Sequence, residues 1–346
     1  MKELIDRLQN GEELTKAEFT ALLAAFEDEG LAAYLAEKSS AARDRVFGRK
    51  VFLRGLIEFT NYCRNDCLYC GLRHSNAQVE RYRLKPEDIL ACCRAGHELG
   101  FRTFVLQGGE DPGYGQAELL ELISVIHQSF PDCAVTLSIG EQSRELYEQY
   151  FAAGASRFLL RHESADPDHY RRLHPPSLSP EKRRGCLWTL KDIGFQVGAG
   201  FMVGSPWQTP AHLAEDFLFL QKLSPHMVGL GPFIPHPETP LGHFPAGSVE
   251  LTLFCLGLTC LMLPKALLPA TTALGSLAAD GRERALAFGA NVLMPNLSPP
   301  EVRRKYEIYS GKIHLDEEAA EGVHRLRLRL AALGYETPAE RGDYPF

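Results

Sequence analysis

Three closely spaced cysteines are the residues of this sequence best suited to chemistry. Cys63, Cys67 and Cys70 follow an apolar, β-leaning run from Val51 to Thr60. Their spacing predicts a metal site on a loop at the end of a strand. A 4Fe-4S cluster normally takes four thiolates, so three leave one iron open to a further ligand, which indicates catalysis. The alternative is a zinc site of three Cys and His74, because tetrahedral zinc accepts that set.

The motif Cys-x3-Cys-x2-Cys, with Tyr69 directly before its last Cys, resembles the signature of radical S-adenosylmethionine (SAM) enzymes. Its flanks, 57–61 and 71–73, are similar to those of HydE-type maturases of FeFe-hydrogenase, relatives of biotin synthase and methylornithine synthase. The similarity extends from about Val51 to about Lys312. It implies a 4Fe-4S cluster on the three cysteines, with SAM at the open iron. HydE-type proteins sometimes carry further Cys near Lys312 for an accessory cluster, but none follows Cys260 here, so we expect one cluster.

Polar residues that follow predicted strands are the next candidates, because ligands of βα barrels bind at the C-terminal ends of the strands. Gly108 and Gly109 let the backbone approach a ligand, and Glu110 can receive an ammonium group. Alone, this segment could be an ordinary Gly turn with a solvated Glu. It resembles the radical SAM segment that holds the SAM amino group. Arg161 and Glu163, two apart at a strand end, face the same way.

The resemblance implies further contacts with SAM. It gives Glu163 a contact to the ribose and Arg183 a contact to the carboxylate, although the run 182–184 can also be a solvated helix face. Ile234, in a proline-rich segment, can pack on the adenine. The expected SAM site is Tyr69, Gly108, Gly109, Glu110, Arg161, Glu163, Arg183 and Ile234. The Gly-rich stretch 198–204 lacks the order of a dinucleotide-binding loop, so we reject an NAD site.

Hydroxyl groups at other strand ends are candidates for a substrate that lies deeper in the barrel than SAM. Thr136 and Ser138 point to one side of a strand. Thr271 and Thr272 are adjacent at another strand end and can hydrogen-bond a carboxylate, although β-propensity alone can also explain them. Tyr306 matches a cavity tyrosine of HydE-type proteins. Beyond the cluster and SAM, no catalytic side chain is expected.

The elements that position these residues form a βα pattern, with short apolar runs followed by amphipathic helical segments. The eight predicted strands are 51–59, 103–107, 134–139, 157–160, 196–203, 227–233, 267–273 and 291–294. The helices between them are predicted at 86–99, 117–130, 145–153, 180–193, 210–223, 249–263 and 282–288. Eight parallel strands with crossover helices close into a barrel. The predicted fold class is therefore α/β, a (β/α)8 TIM-type barrel; the resemblance favours this complete barrel over the common six-strand radical SAM core.

The expected domain organisation has three parts. Residues 1–48 form an N-terminal helical lead-in, with a capping box at Thr15 and Glu18. Residues 49–312 form the radical SAM barrel. Residues 313–346 form a C-terminal extension, with a helix from Glu317 to Leu333 and a polar tail from Glu336.

The composition excludes several classes of protein. With 45% hydrophobic and 23% charged residues the chain is globular, and a net charge of -7 argues against nucleic acid as a partner. The uncharged, apolar run 251–263 is shorter than the roughly 18 residues that span a membrane, so it predicts a buried helix. Nine Cys without a signal peptide indicate the reducing cytoplasm. Six of them are expected to pack in the core: Cys92, Cys93, Cys133, Cys186, Cys255 and Cys260.

The resemblance also implies the function. In HydE-type relatives, SAM is cleaved reductively to a 5'-deoxyadenosyl radical, which acts on a cysteine-bound iron carbonyl cyanide complex during assembly of the FeFe-hydrogenase active site. The expected partners are this organometallic or another small-molecule substrate, an electron donor and other hydrogenase maturation proteins.

The alternatives are a methylornithine synthase-like lysine mutase, a biotin-synthase-like enzyme, an iron-sulfur carrier and a zinc-stabilised barrel. A lysine mutase needs a carboxylate for the distal ammonium. The clear candidates, Glu110 and Glu163, are assigned to SAM, which favours a cysteine-type ligand.

Overall fold

The computed structural model describes residues 1–313 and 319–346. Its strands are β1 (Phe52–Leu53), β2 (Gly55–Thr60), β3 (Thr103–Gly108), β4 (Ala134–Ser138), β5 (Ala155–Leu159), β6 (Gln196–Ala199), β7 (Met202–Val203), β8 (Met227–Val228), β9 (Gly231–Pro232) and β10 (Val292–Leu293). Its helices are α1 (Lys2–Gln9), α2 (Lys16–Ala24), α3 (Glu29–Phe47), α4 (Pro86–Glu98), α5 (Gln116–Ser129), α6 (Arg144–Ala152), α7 (Pro167–Leu173), α8 (Pro180–Ile193), α9 (Pro210–Leu223), α10 (Val249–Met262), α11 (Thr272–Leu277), α12 (Gly281–Ala287), α13 (Pro300–Arg303) and α14 (Ala319–Ala332).

The strands form a parallel sheet in the order β2-β3-β4-β5-β6-β8, and β1 pairs with β10 in the same sense. Isolated bridges join Met227 to Leu267 and Pro269 to Val292, which link β8 to β10. The predicted α/β fold with the parallel strands of a TIM-type barrel is confirmed. A continuous ladder around the whole barrel is not formed within the described residues.

The structure corrects several predicted strands. The predicted strand 267–273 is reduced to the two bridges, and Thr272 begins α11, with Thr271 as its N-cap residue. The two threonines therefore lie at a helix start and not at a strand end. The predicted strand 196–203 is split into β6 and β7 by Gly200, whose φ is +156°, and 227–233 is likewise divided into β8 and β9.

The predicted long helices agree closely with the structure. α8 and α9 have the predicted bounds, and each has Pro at its first position after a capping Ser or Thr. The capping box of Thr15 and Glu18 is present in α2. α14 begins at Ala319, whereas the predicted start at Glu317 lies outside the described residues. α7, α11 and α13 are short helices that the sequence did not predict.

The lead-in helices pack on the outside of the barrel. Phe19 of α2 stacks on Phe217 of α9 at a ring distance of 5.0 Å, and both rings are buried. α10 is buried along most of its length, as predicted, and the six additional cysteines are buried as expected. Of the helices in the described part of the chain, none has the length and apolar character needed to cross a membrane.

Candidate functional site

The cysteine loop follows β2 at the C-terminal ends of the strands and is held by three other segments. The backbone N–H of Leu68 donates to the carbonyl of Leu173, at the end of α7, at 2.9 Å. The carbonyl of Leu68 accepts from the N–H of Leu241 at 3.1 Å, and the N–H of Gly71 donates to the carbonyl of Ile308 at 3.0 Å. Backbone contacts thus fix the loop from three sides.

The spacing of the thiols distinguishes between the two metal sites predicted from the motif. One zinc ion with bonds of about 2.3 Å would hold its sulfur ligands roughly 3.8 Å apart. Among the described residues, the group whose ligand atoms all lie within 4.8 Å is His97, Asp132 and Cys133, at the opposite ends of the strands. In the motif, at least one pair of the three sulfur atoms lies farther apart than 4.8 Å, and His74 is exposed. Wider spacing fits a cluster in which each thiolate binds a different iron.

Burial controls the charge of these thiols. It raises the pKa of Cys70 to about 12 and that of Cys67 well above its ordinary value, and repulsion between neighbouring thiolates adds to both shifts. The loop therefore holds neutral thiols until a metal cation displaces their protons.

Gly108 and Gly109 bring the end of β3 against the cysteine loop. A Cβ at Gly109 would lie 2.2 Å from the carbonyl oxygen of Tyr62 and 2.8 Å from Cβ of Cys63. A Cβ at Gly108 would lie 2.7 Å from Cγ2 of Thr60. The two glycines were expected to let the backbone come close to a ligand. In the structure they let the end of β3 come close to the cysteine loop.

Glu110 joins the cysteine loop to two other strand-end segments. Its carboxylate accepts hydrogen bonds at 3.1 Å from Arg64 Nη2, from Arg183 Nη1 and from the backbone N–H of Glu141. Burial alone would lower the pKa of Arg183, but the carboxylates of Glu110 and Glu141 raise it above its ordinary value. Gly140, at φ +76°, makes room, because a Cβ there would lie 2.0 Å from Cγ of Glu110.

Arg161 and Glu163 are paired, but not on a strand as predicted. β5 ends at Leu159, and Glu163 has φ +64°, an uncommon value for a residue with a side chain. Arg161 Nη2 lies 3.1 Å from Glu163 Oε2, and the carbonyl of Arg161 accepts from Arg183 Nε at 2.9 Å. Arg183 therefore connects Glu110 to Arg161 and, through Arg161, to Glu163, all of them residues expected at SAM.

Tyr69 is oriented by a histidine that the sequence did not indicate. Burial lowers the pKa of His174 to about 3, so its ring is neutral at physiological pH. Nδ1 donates to the carbonyl of Tyr170 at 2.9 Å, which leaves Nε2 to accept from the Tyr69 hydroxyl at 3.2 Å. Ile234 is buried just after β9.

The predicted substrate residues include two buried hydroxyls without a partner. Thr136 Oγ1 and Thr271 Oγ1 have no hydrogen-bond partner among the described residues. Thr271 lies beside the start of β9, because a Cβ at Gly231 would lie 3.5 Å from its Oγ1. Ser138 ends β4 and Tyr306 is buried. An unpaired buried hydroxyl is a position where a ligand can form a hydrogen bond.

A further buried carboxylate, inside the barrel, was missed in the sequence. Glu58 of β2 is 1% exposed, and its Oε1 lies 2.5 Å from Lys312 Nζ. Its Oε2 accepts from Asn296 Nδ2 at 2.8 Å. Glu and Lys are 254 positions apart, so no local pattern could indicate the pair.

The parallel α/β barrel and the three-cysteine loop at its strand ends define a radical SAM class of protein. The family model of the radical SAM superfamily matches residues 57–220. The [FeFe] hydrogenase maturase subunit HydE of Thermotoga maritima is 44% identical over 317 residues, which cover 92% of this chain and 90% of the relative. The chain belongs to the HydE family of the radical SAM superfamily. It is an enzyme, and the superfamily implies SAM and a 4Fe-4S cluster.

Two other relatives have similar folds. The 3-methylornithine synthase of Methanosarcina barkeri is 28% identical over 98% of this chain and 94% of its own length. The crystal structure of methylornithine synthase (PylB) aligns with a TM-score of 0.84 over 98% of both chains, at 27% identity. The crystal structure of HydG, a maturase of the [FeFe]-hydrogenase, has a TM-score of 0.81 at 19% identity, covers 96% of this chain and 75% of its own, and shows the fold alone.

Proposed function

We propose that this enzyme acts on a cysteine-bound iron carbonyl cyanide precursor during assembly of the FeFe-hydrogenase active site. The observation that carries this proposal is the 44% identity with the HydE subunit of Thermotoga maritima over 92% of the chain. The enzyme holds one 4Fe-4S cluster on Cys63, Cys67 and Cys70. It acts in the cytoplasm with an electron donor and other maturation proteins.

In this proposal the cluster and SAM, when bound, supply radical chemistry through reductive cleavage of SAM. Arg183 binds the SAM carboxylate, and Glu110 and Glu141 hold its guanidinium in place. Arg161 and Glu163 form the ribose side of the site, Gly108 and Gly109 shape the loop beside it, and Ile234 packs on the adenine. Tyr69 is oriented by His174.

The substrate lies deeper, against Thr136, Ser138, Thr271, Thr272 and Tyr306. The free hydroxyls of Thr136 and Thr271 suit the carboxylate of a cysteine ligand, because a hydrogen bond to a charged acceptor is worth about 1.5–3 kcal/mol. The buried walls of the barrel keep water from the reacting groups.

The test uses anaerobically reconstituted, reduced protein with SAM and the iron-cysteine carbonyl cyanide complex, and measures 5'-deoxyadenosine. Thr271→Val with Thr272→Val should abolish turnover of the complex and leave SAM affinity unchanged. The melting temperature should not fall, since Thr271 Oγ1 has no partner in the described residues. Thr20→Val, on α2 away from the site, is the matched control.

Conversion of lysine to methylornithine by the unmodified protein would refute the proposal. The 28% identity with 3-methylornithine synthase makes lysine mutation the second candidate. L-Lysine therefore belongs in every assay as the competing substrate.

A further inference from the structure

Glu58 lies in the barrel at the level of the proposed substrate residues. In the sheet register Glu58 is opposite Gln107, and Gln107 is opposite Ser138. Residues in register on parallel strands point to the same side of the sheet, so Glu58 and Ser138 face the same space. The backbone N–H of Glu58 donates to Ser298 Oγ at 2.7 Å, which fixes this part of β2.

The counter-ion of Glu58 comes from a distant part of the chain. Lys312 Nζ donates to Glu58 Oε1 at 2.5 Å and to the carbonyl of Tyr306 at 3.1 Å. It also lies 4.9 Å from the centre of the Tyr306 ring, and the Lys312 side chain is only 7% exposed. A lysine ammonium is thus held by a carboxylate, a carbonyl and an aromatic face, the groups that would bind the ammonium of a ligand.

Lys312 borders open space. With Asn296 and Thr272, one of the proposed substrate residues, it lines a cavity of about 290 Å³, whose other walls include arginines and residues of α14. The carboxylates of Glu110 and Glu163 are paired with arginines nearer the cysteine loop. Glu58 differs from both because its partner is a primary ammonium.

We propose that Lys312 is a specificity-determining residue that excludes amine substrates. Its ammonium occupies the position at Glu58 that the distal ammonium of a lysine-like substrate would take. A free amine cannot enter without leaving a charge unpaired in a buried site. This proposal rests on the proposed function and explains how a barrel shared with lysine-type enzymes can favour a ligand without a distal ammonium.

The test is a binding experiment on reconstituted protein with SAM, using L-lysine and n-propylammonium as probes. Propylammonium matches the atoms that Lys312→Ala removes. Wild type should show no binding at the highest probe concentration used, whereas Lys312→Ala should bind both probes with a Kd at least about tenfold below that concentration, as expected for one charge-assisted contact. The gain should vanish in the double variant Glu58→Gln with Lys312→Ala. Lys305→Ala, which breaks the more exposed pair with Glu80, is the matched control and should gain no binding.

Failure of folded Lys312→Ala to bind L-lysine overturns the proposal, as does binding of L-lysine by wild type. If Lys312→Ala is insoluble, adding propylammonium chloride should restore soluble, folded protein, whereas adding sodium chloride should not. Loss in both salts, with a folded Lys312→Ser that binds neither probe, overturns it. These measurements need no turnover, so a failure to process the iron-cysteine complex refutes the proposed function separately.

Discussion

At the scale of single residues, the structure gives Glu110 a different role in SAM binding from the one that the sequence suggested. The sequence suggested a carboxylate free to receive the SAM ammonium, but both oxygens already accept hydrogen bonds from protein groups, including Arg64 and Arg183. In the proposed SAM site, Glu110 therefore acts through Arg183, the arginine that it positions. Reversing its charge would also disturb the cysteine loop, because the guanidinium of Arg64, which lies in that loop, pairs with the Glu110 carboxylate at 3.1 Å.

The milder variant Glu110→Gln should weaken SAM binding. It keeps the shape of the side chain and removes the charge opposite Arg183, a contact of about 1.5–3 kcal/mol, or roughly 10- to 100-fold in affinity. Equilibrium binding of SAM to reconstituted protein measures this, with iron content as the check on the loop. Glu121→Gln, on the exposed face of α5, is the control. An unchanged SAM affinity would show that Glu110 does not position Arg183 for SAM.

Single residues could be predicted where their neighbours in sequence carry the signal. The Cys spacing and the segment 108–110 lie within short motifs, so they were accessible. Glu58 was not, because its partner Lys312 and its neighbour Asn296 are distant in sequence. His174 was missed for the same reason, since it meets Tyr69 across 105 positions.

At the scale of elements, the site depends on how closely the end of β3 approaches the cysteine loop. Gly109→Ala places a methyl group against the backbone of Tyr62 and against Cys63, and backbone cannot move aside as a side chain can. We expect a marked loss of iron and sulfide after reconstitution, measured against wild type. Gly185→Ala on α8, with nothing within 4 Å of the added Cβ, should retain full iron. Full iron in Gly109→Ala would mean that the two loops do not need this contact.

The elements that the sequence predicted well are those with strong local signals. α8 and α9 carry capping residues, a proline at the first turn and long amphipathic patterns. The predicted strand 267–273 failed because its β-branched threonines also suit a helix start, and Thr271 is the N-cap of α11. α7 and α11 span fewer than eight residues, too few for the helical period to show.

At the scale of the whole molecule, the end of the barrel opposite the cysteine loop is closed by the C-terminal segment, here called the floor of the barrel. The segment 341–346, expected to be a polar tail, lies under the N-terminal ends of the strands. Arg157, fully buried, donates to Asp343 Oδ1 at 2.7 Å and to the carbonyl of Arg341 at 3.0 Å. Buried Arg54 also reaches this segment, through the carbonyl of Gly342 at 3.4 Å. Two guanidinium groups inside the barrel thus donate through their Nη atoms to residues from the other end of the chain.

Asp343 is therefore expected to stabilise the barrel from below. Asp343→Ala leaves the buried guanidinium of Arg157 without its carboxylate and should lower the free energy of unfolding by about 1.5–3 kcal/mol, measured by urea denaturation. Arg157→Met combined with Asp343→Ala should recover part of that loss, because an apolar pair leaves no buried charge. Glu340→Ala, which breaks an exposed pair with Lys50, should change stability by less than about 0.5 kcal/mol. If Asp343→Ala is no more costly than Glu340→Ala, water already reaches Arg157 and the segment does not seal the barrel. If it is costly, the floor excludes water from the end of the barrel opposite the cysteine loop.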